Sequence, residues 1–222
     1  MARLSRDRVL RTAVDLADRI GIDALSMRRL ADELDVVPMA LYKHVAKKEE
    51  LLDGMVDIVI GEIDPPTRGA AWKAAFRQRI LSARRALLRH PWAPRVLESR
   101  TQPTPAVLDY MDSMIGIMRS GGFSRDLAHH SMHAVGSRLM GFTQELFDDK
   151  RGIDPTTLPP QVLQAMIARY PNIAEMAGVA VHEEHTVVGA GCDDQFEFEF
   201  AVDILLDGLE RKLAVAQKSA AG

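Results

Sequence analysis

Leu25-Ser26-Met27-Arg28-Arg29-Leu30-Ala31-Asp32-Glu33-Leu34, the turn Asp35-Val36-Val37, and then Pro38-Met39-Ala40-Leu41-Tyr42-Lys43-His44-Val45 form the stretch whose reading decides the fold. A serine hydroxyl accepts from an amide in the first helical turn, so Ser26 starts a short helix that runs through Leu34. Leu30, Ala31 and Leu34 face inward on it, and Arg28 and Arg29 stand at its start. Pro38 suits a first helical position, where its missing N–H would be unpaired anyway, so a third helix is expected from Pro38 to about Val45. On that helix Leu41 and Val45 lie one turn apart and dock inward, which leaves Met39, Ala40, Lys43 and His44 outside. Upstream, Val9, Ala13, Leu16, Ala17 and Ile20 repeat with helical period between a Ser5 cap and a Gly21 stop, and form the brace. Helix, short helix, tight turn, short helix is the helix-turn-helix plan, whose second element enters the DNA major groove.

A fourth helix starts near Lys47 and carries Leu51, Leu52, Met55, Val59 and Ile63 until Pro65-Pro66 stops it. The expected organisation is a head over 1–46, a connecting helix over 47–64 and a larger helical domain over 65–222. Further amphipathic helices are expected at Ala71–His90, Trp92–Ser99, Pro105–Ser120, Ser124–Phe147, Pro160–Tyr170 and Asp194–Gln217. Asp148–Pro159 reads as a polar connection, and Gly178–Asp193 as an ordered loop, a brief strand or, preferred, a mobile lid. No run reads as a strand, so the fold class is all-α.

The chain's 222 residues suffice for a large core, and its single cysteine, Cys192, excludes a disulfide framework and fits a reducing cytoplasm. No stretch approaches the ~18 apolar residues that span a bilayer, so no membrane partner is expected. The net charge is −3, yet residues 1–48 hold ten Lys and Arg against seven Asp and Glu. The basic excess is local and lies where the helix-turn-helix falls.

Those residues, continued by Lys47-Lys48-Glu49-Glu50-Leu51-Leu52-Asp53, closely resemble the DNA-binding domain of the tetracycline-repressor (TetR) family over about fifty residues in register. The regulatory half resembles the tetracycline repressors discontinuously, through Gly122-Phe123-Ser124, Ala134-Val135-Gly136, Gly141, Phe196 to Phe200 and Asp207-Gly208-Leu209-Glu210. The resemblance implies nine or ten helices, with the last helix and the one near 124–147 forming a four-helix bundle between two subunits. The family often has glycine where this chain has Asp35, a residue that tolerates the left-handed region. Its tetracycline binders have a metal-binding histidine where this chain has Leu97. Glu145 matches an acidic position of theirs, but a lone carboxylate makes a poor magnesium-chelate site, which argues against tetracycline itself.

The resemblance assigns roles residue by residue. Arg28 matches a base-contacting position, and arginine suits guanine O6 and N7. Pro38 opens the reading helix, and Met39 and Ala40 can meet thymine methyls. Tyr42, His44 and Lys48 match phosphate-clamping residues, with Lys43 on the same face. For dimerisation the candidates are Gly136, Gly141, Phe196, Phe200, Ile204, Leu205, Gly208 and Leu209, the glycines allowing close helix approach. A small-molecule pocket is expected among Phe76, Ile80, Met111, Met114, Met118, His133, Leu139 and Met140, which can equally be plain core.

The expected function is a cytoplasmic, ligand-responsive repressor that binds palindromic double-stranded operator DNA as a homodimer and is released by a small-molecule effector. A corepressor-dependent regulator, an activator or a helical protein-binding module are the alternatives. No G-x-S-x-G, P-loop or G-x-G-x-x-G is present, so no enzyme and no cofactor are expected. His129 and His133 are one turn apart, and His182 and His185 flank two glutamates, but neither set forms a zinc signature, and no metal is expected.

Overall fold

The computed structural model describes residues 3–141, 159–179 and 194–221. Among them the regular elements are helices, and their starts follow the polar groups that cap them. Helix α1 spans Arg6–Ile20; the Ser5 hydroxyl accepts from the Arg8 amide, and Gly21, at φ 79°, donates to the Ala17 carbonyl at 2.8 Å. A single 3₁₀ turn, Ile22–Ala24, which the sequence pattern does not announce, leads to α2, Met27–Glu33. Ser26 caps α2 by accepting from the Arg29 amide at 3.2 Å. Asp35 takes φ 55°, the left-handed conformation expected of it, and lets Val36 N–H reach back to the Ala31 carbonyl.

The reading helix is shorter than expected. Regular α-helix α3 covers only Pro38–Leu41, and the chain continues in turns through His44. Both His44 and Val45 donate to the Leu41 carbonyl, so the last turn mixes 3₁₀ and α bonding rather than extending the helix to Val45. Helix α4 is Lys48–Gly61; the carboxylate of Glu50 reaches back to the Ala46 amide at 2.7 Å, as in a capping box.

The chain continues as α5 Trp72–Arg89, α6 Ala93–Glu98, α7 Pro105–Ser120 and α8 Arg125–Gly141. Then come α9 Pro160–Arg169, α10 Pro171–Val179 and α11 Asp194–Ala221. Helix α10 is an addition to the sequence reading: Pro171 restarts a helix one residue after α9 ends, and Gly178 lies inside it rather than opening a mobile segment. The described residues thus hold eleven α-helices instead of nine or ten.

The chain divides into two compact units, Met1–His133 with Lys212–Gly222, and Ala134–Arg211. Pro65-Pro66 follows the end of α4 at Gly61 and lies within the first unit. In the first unit α1 packs on α2 and α4, α2 on α3, and α4 also on α5, α6 and α7. Val9, Ala13, Leu30, Ala31, Leu41, Val45 and Met55 are fully buried there. In the second unit α9 packs on α10.

Two glycines of the first unit offer a matched test. A Cβ on Gly121, at the end of α7, would lie 2.6 Å from Trp72 Cβ and Cγ, whereas one on Gly116 would meet nothing within 4 Å. Gly121→Ala is therefore expected to destabilise by about 1–3 kcal/mol through overpacking. Gly116→Ala should stabilise by roughly 0.5–1 kcal/mol through helix propensity. Urea unfolding of the two variants reads the difference; equal effects would mean that the α7–Trp72 contact relaxes freely.

Candidate nucleic-acid interface and its link to the body

Leu41 and Val45, buried against the head, fix which side of the α3 segment faces water. On the outer side Val37 and Met39 are 69% and 72% exposed, and Tyr42 is 43% exposed. Pro38 and Lys43 are also exposed, Ala40 and His44 half so, and Arg28 is exposed at the start of α2. Among the described residues the side chains of Arg28, Lys43 and His44 make no intramolecular hydrogen bond or ion pair. Lys48 donates to the Leu25 carbonyl across a long 3.4 Å, which leaves two of its three protons free of that bond. Exposed apolar groups interleaved with uncommitted donors form a surface able to meet base edges and phosphates together.

This head is wired to the body. His90, at the end of α5, is 6% exposed and stands between two carboxylates: Nδ1 lies 2.9 Å from Asp18 of α1, and Nε2 lies 3.2 Å from Glu62 at the end of α4. Trp92 donates its indole N–H to the same Asp18 at 2.6 Å, and Arg89 pairs with Glu62 at 2.6 Å. Arg95 of α6 reaches Asp23 at 2.6 Å, and Arg100 reaches Asp53 of α4 at 3.4 Å. Burial alone would raise the Glu62 carboxyl, but hydrogen bonds from Arg89 and His90 outweigh it and hold the group below its ordinary value. None of this junction is apparent in the sequence, because Asp18 and His90 are 72 positions apart.

The residues expected to line a pocket separate into two groups. Phe76 and Ile80 of α5 and Met114 and Met118 of α7 are buried where these two helices pack. Met111 is 41% exposed and His133 is exposed, so neither is enclosed with them. The surroundings of Leu139, Met140 and Gly141, the position of Glu145, and His182 and His185 lie outside the described residues. A separate open cavity of about 440 Å³ lies between α1 and α4, lined by Arg6, Arg11, Gly54, Asp57 and Glu62 among others. His129 and His133 do meet, ring centroids 4.6 Å apart, but no group of three metal-ligating side chains gathers among the described residues. No helix described is long and apolar enough to cross a membrane.

On α11 the apolar residues fall on two faces. Phe198, Val202, Leu206 and Leu213 are buried, Leu205, Gly208 and Leu209 are half-buried, and Phe196, Phe200 and Ile204 are 53–61% exposed. Gly136 is exposed, and a Cβ on it or on Gly208 would meet nothing within 4 Å inside the chain.

A three-helix unit presenting the outer face of its last short helix defines a helix-turn-helix DNA-binding protein. Comparison with known proteins makes this specific. Residues 9–55 match the family described as bacterial regulatory proteins, tetR family, and residues 65–213 match the tetracyclin repressor-like C-terminal domain. The HTH-type transcriptional repressor DrrR1 of Streptomyces coeruleorubidus is 31% identical over 227 residues, covering 97% of this chain and 80% of that protein. An HTH-type transcriptional regulator of Saccharopolyspora erythraea is 36% identical over 139 residues, 62% of this chain and 59% of that one, so this match spans under two thirds of the relative. The crystal structure of the Streptomyces coelicolor TetR family protein ActR in complex with actinorhodin aligns with TM-score 0.70 and 28% identity, covering 94% of this chain and 96% of that one. The chain belongs to the tetR family of bacterial regulatory proteins, and it is a DNA-binding transcriptional regulator.

The junction has a pH signature. Because its folded value is depressed, Glu62 contributes stability that is fully present above its ordinary value near 4.5 and is lost as pH falls through the folded one. Glu62→Gln is expected to be less stable than wild type at pH 7, with a shallower loss of stability between pH 5 and 3, read by urea unfolding at stepped pH. Parallel pH profiles would contradict the role given to this carboxylate.

Proposed function

We propose that the chain is a homodimeric repressor that holds a palindromic operator through two copies of its head and releases it when a small-molecule inducer fills the larger domain. The observation that carries this reading is the outer face of the α3 segment, with Met39 72% exposed above a fully buried Leu41. A protein-binding helical module would have no need to hold a four-residue helix proud of the surface. That ActR is crystallised with actinorhodin supports a small-molecule effector for the similar C-terminal domain. On this reading 1–46 binds DNA, 47–64 connects, and 65–222 binds ligand and dimerises. The regulator has no catalytic role and works in the cytoplasm, where operator DNA is. A gel shift with the DNA flanking its own gene is expected to show a specific complex; failure to shift at low salt would overturn the reading.

Within the head, Arg28 reads a base and Met39 and Ala40 contact methyl groups, while Tyr42, Lys43, His44 and Lys48 hold phosphates. Arg28→Ala should weaken operator binding by about 1–3 kcal/mol and relax preference at one base pair per half-site. Lys48→Ala should weaken all sequences alike and lower the salt slope by about one. Equal loss of specificity in both variants would contradict this division.

For the dimer, α11 buries Phe198, Val202 and Leu206 within the chain and presents Phe200 and Ile204 outward, so the second apolar face suits a second copy under two-fold symmetry. The exposed Gly136 and half-buried Gly208, uncrowded within the chain, allow its close approach. Gly141, Phe196, Leu205 and Leu209 complete the proposed seam. Leu205→Glu puts a charge into it and should yield a monomer in sedimentation; a wild type that is itself monomeric would refute the proposal.

A further inference from the structure

We infer that the α5–α7 contact holds the acidic group of an anionic small molecule, with Arg79 as its counter-ion and the Tyr110 hydroxyl as a second donor. The inference rests on the reading above that these helices line the effector site, and it specifies the class of effector. Arg79 lies on α5 between Phe76 and Ile80, and Tyr110 lies one turn before Met114 on α7, so both belong to the buried faces where the two helices meet.

Arg79 is 6% exposed, and among the described residues it has no carboxylate as an ion-pair partner. One of its nitrogens donates to the Asp64 main-chain carbonyl, its guanidinium carbon sits 4.7 Å from the Tyr110 ring centroid, and its Nε has no hydrogen-bond acceptor. The nearby carboxylate, that of Asp64, is already committed: Ser82 donates to it at 2.8 Å and Arg85 at 2.7 Å. The Tyr110 hydroxyl is buried and, among the described residues, also has no hydrogen-bond partner. Desolvation lowers the Arg79 value, yet a guanidinium remains charged throughout the neutral range. Burial pushes the Tyr110 phenol up to about 12, so at neutral pH it keeps its proton and can donate.

A buried cation that lacks a counter-ion is costly, and proteins retain such groups where something else neutralises them. Here the open valences are donors, at Arg79 Nε and Tyr110 Oη, on the two helices that also bury Phe76, Ile80 and Met114. Donors plus positive charge select a carboxylate or another acidic oxygen; they repel an amine or a metal chelate. The Gln78 side-chain N–H donates to the Pro65 carbonyl at 3.3 Å, and its Oε1, an acceptor buried without a partner among the described residues, is neutral and gives Arg79 no counter-ion.

A matched pair of probes tests this with the full chain: naphthalene-1-carboxylate and its neutral isostere naphthalene-1-carboxamide, titrated by calorimetry at pH 7. The carboxylate is expected to bind about tenfold to hundredfold more tightly, the range of a charge-assisted hydrogen bond. Arg79→Met should abolish that preference while retaining the carboxamide affinity, Arg79→Lys should keep part of it, and Tyr110→Phe, which preserves the ring, should reduce it severalfold. Thermal melts identify any variant that fails to fold, and in that case Tyr110→Phe and Arg79→Lys decide. Equal affinities in the wild type, or a preference that survives in folded Arg79→Met, would overturn the anion site while leaving the effector site standing. Binding of neither probe would overturn both assignments for α5–α7. The gel shift, which does not involve Arg79, decides the regulator reading separately.

Discussion

The structure turns on one constraint: α4 has to satisfy packing partners on both sides. It lies against α1 of the head and against α5, α6 and α7 of the body. Where it meets α1, an added Cβ on Gly54 would come within 2.6 Å of Leu10 Cδ, so the Leu10 side chain would have to move aside. At its far end Glu62 is held by Arg89 and by the buried His90, whose other nitrogen faces Asp18 of the head. Close-packed elements shift as units rather than deforming smoothly. A change in how α5 and α7 press on α4 therefore has to move α4 relative to α1 or break this junction.

The head's exposed chemistry depends on the same economy of packing. A four-residue helix cannot be stable alone, because nucleation fixes several residues for a single hydrogen bond. Helix α3 exists because Leu41 and Val45 are fully buried and because Pro38 and Asp35 set the backbone before it. Met39 and Val37 are consequently held in water, an arrangement that only a binding partner makes useful. Uncommitted Arg28 and Lys43 around them give that partner's charge its sign.

Local signals were legible in the sequence. Ser5 and Ser26 cap the helices that follow them, and Asp35 adopts the positive φ that its side chain tolerates. Signals that depend on the third dimension were not. The period of α3 continues to Val45, but bonding at Leu41 changes from α to mixed 3₁₀, so the helix ends early. On the last helix the sequence singles out Phe196, Phe200 and Ile204, which stand exposed, and not Phe198, Val202 and Leu206, which packing buries. Met111 has the spacing of a pocket residue yet faces outward, one turn from the buried Met114. His90 and Arg79 carried no signal at all, since their partners are separated from them by many residues and their meaning lies in burial.

On the proposed function, the head reads DNA through the face that α3 presents, and the body acts on the head through α4, which packs against both. An effector alters DNA affinity only by binding the two states of that linkage unequally, and two heads must sit about 34–36 Å apart to enter successive major grooves. The coupling is reciprocal by necessity. The most direct measurement is calorimetric titration of a compound that releases the operator in a gel shift, carried out with and without saturating operator DNA. The account predicts that operator weakens effector binding by roughly 5–150-fold, the same factor by which the effector weakens operator binding; an unchanged effector affinity would contradict it.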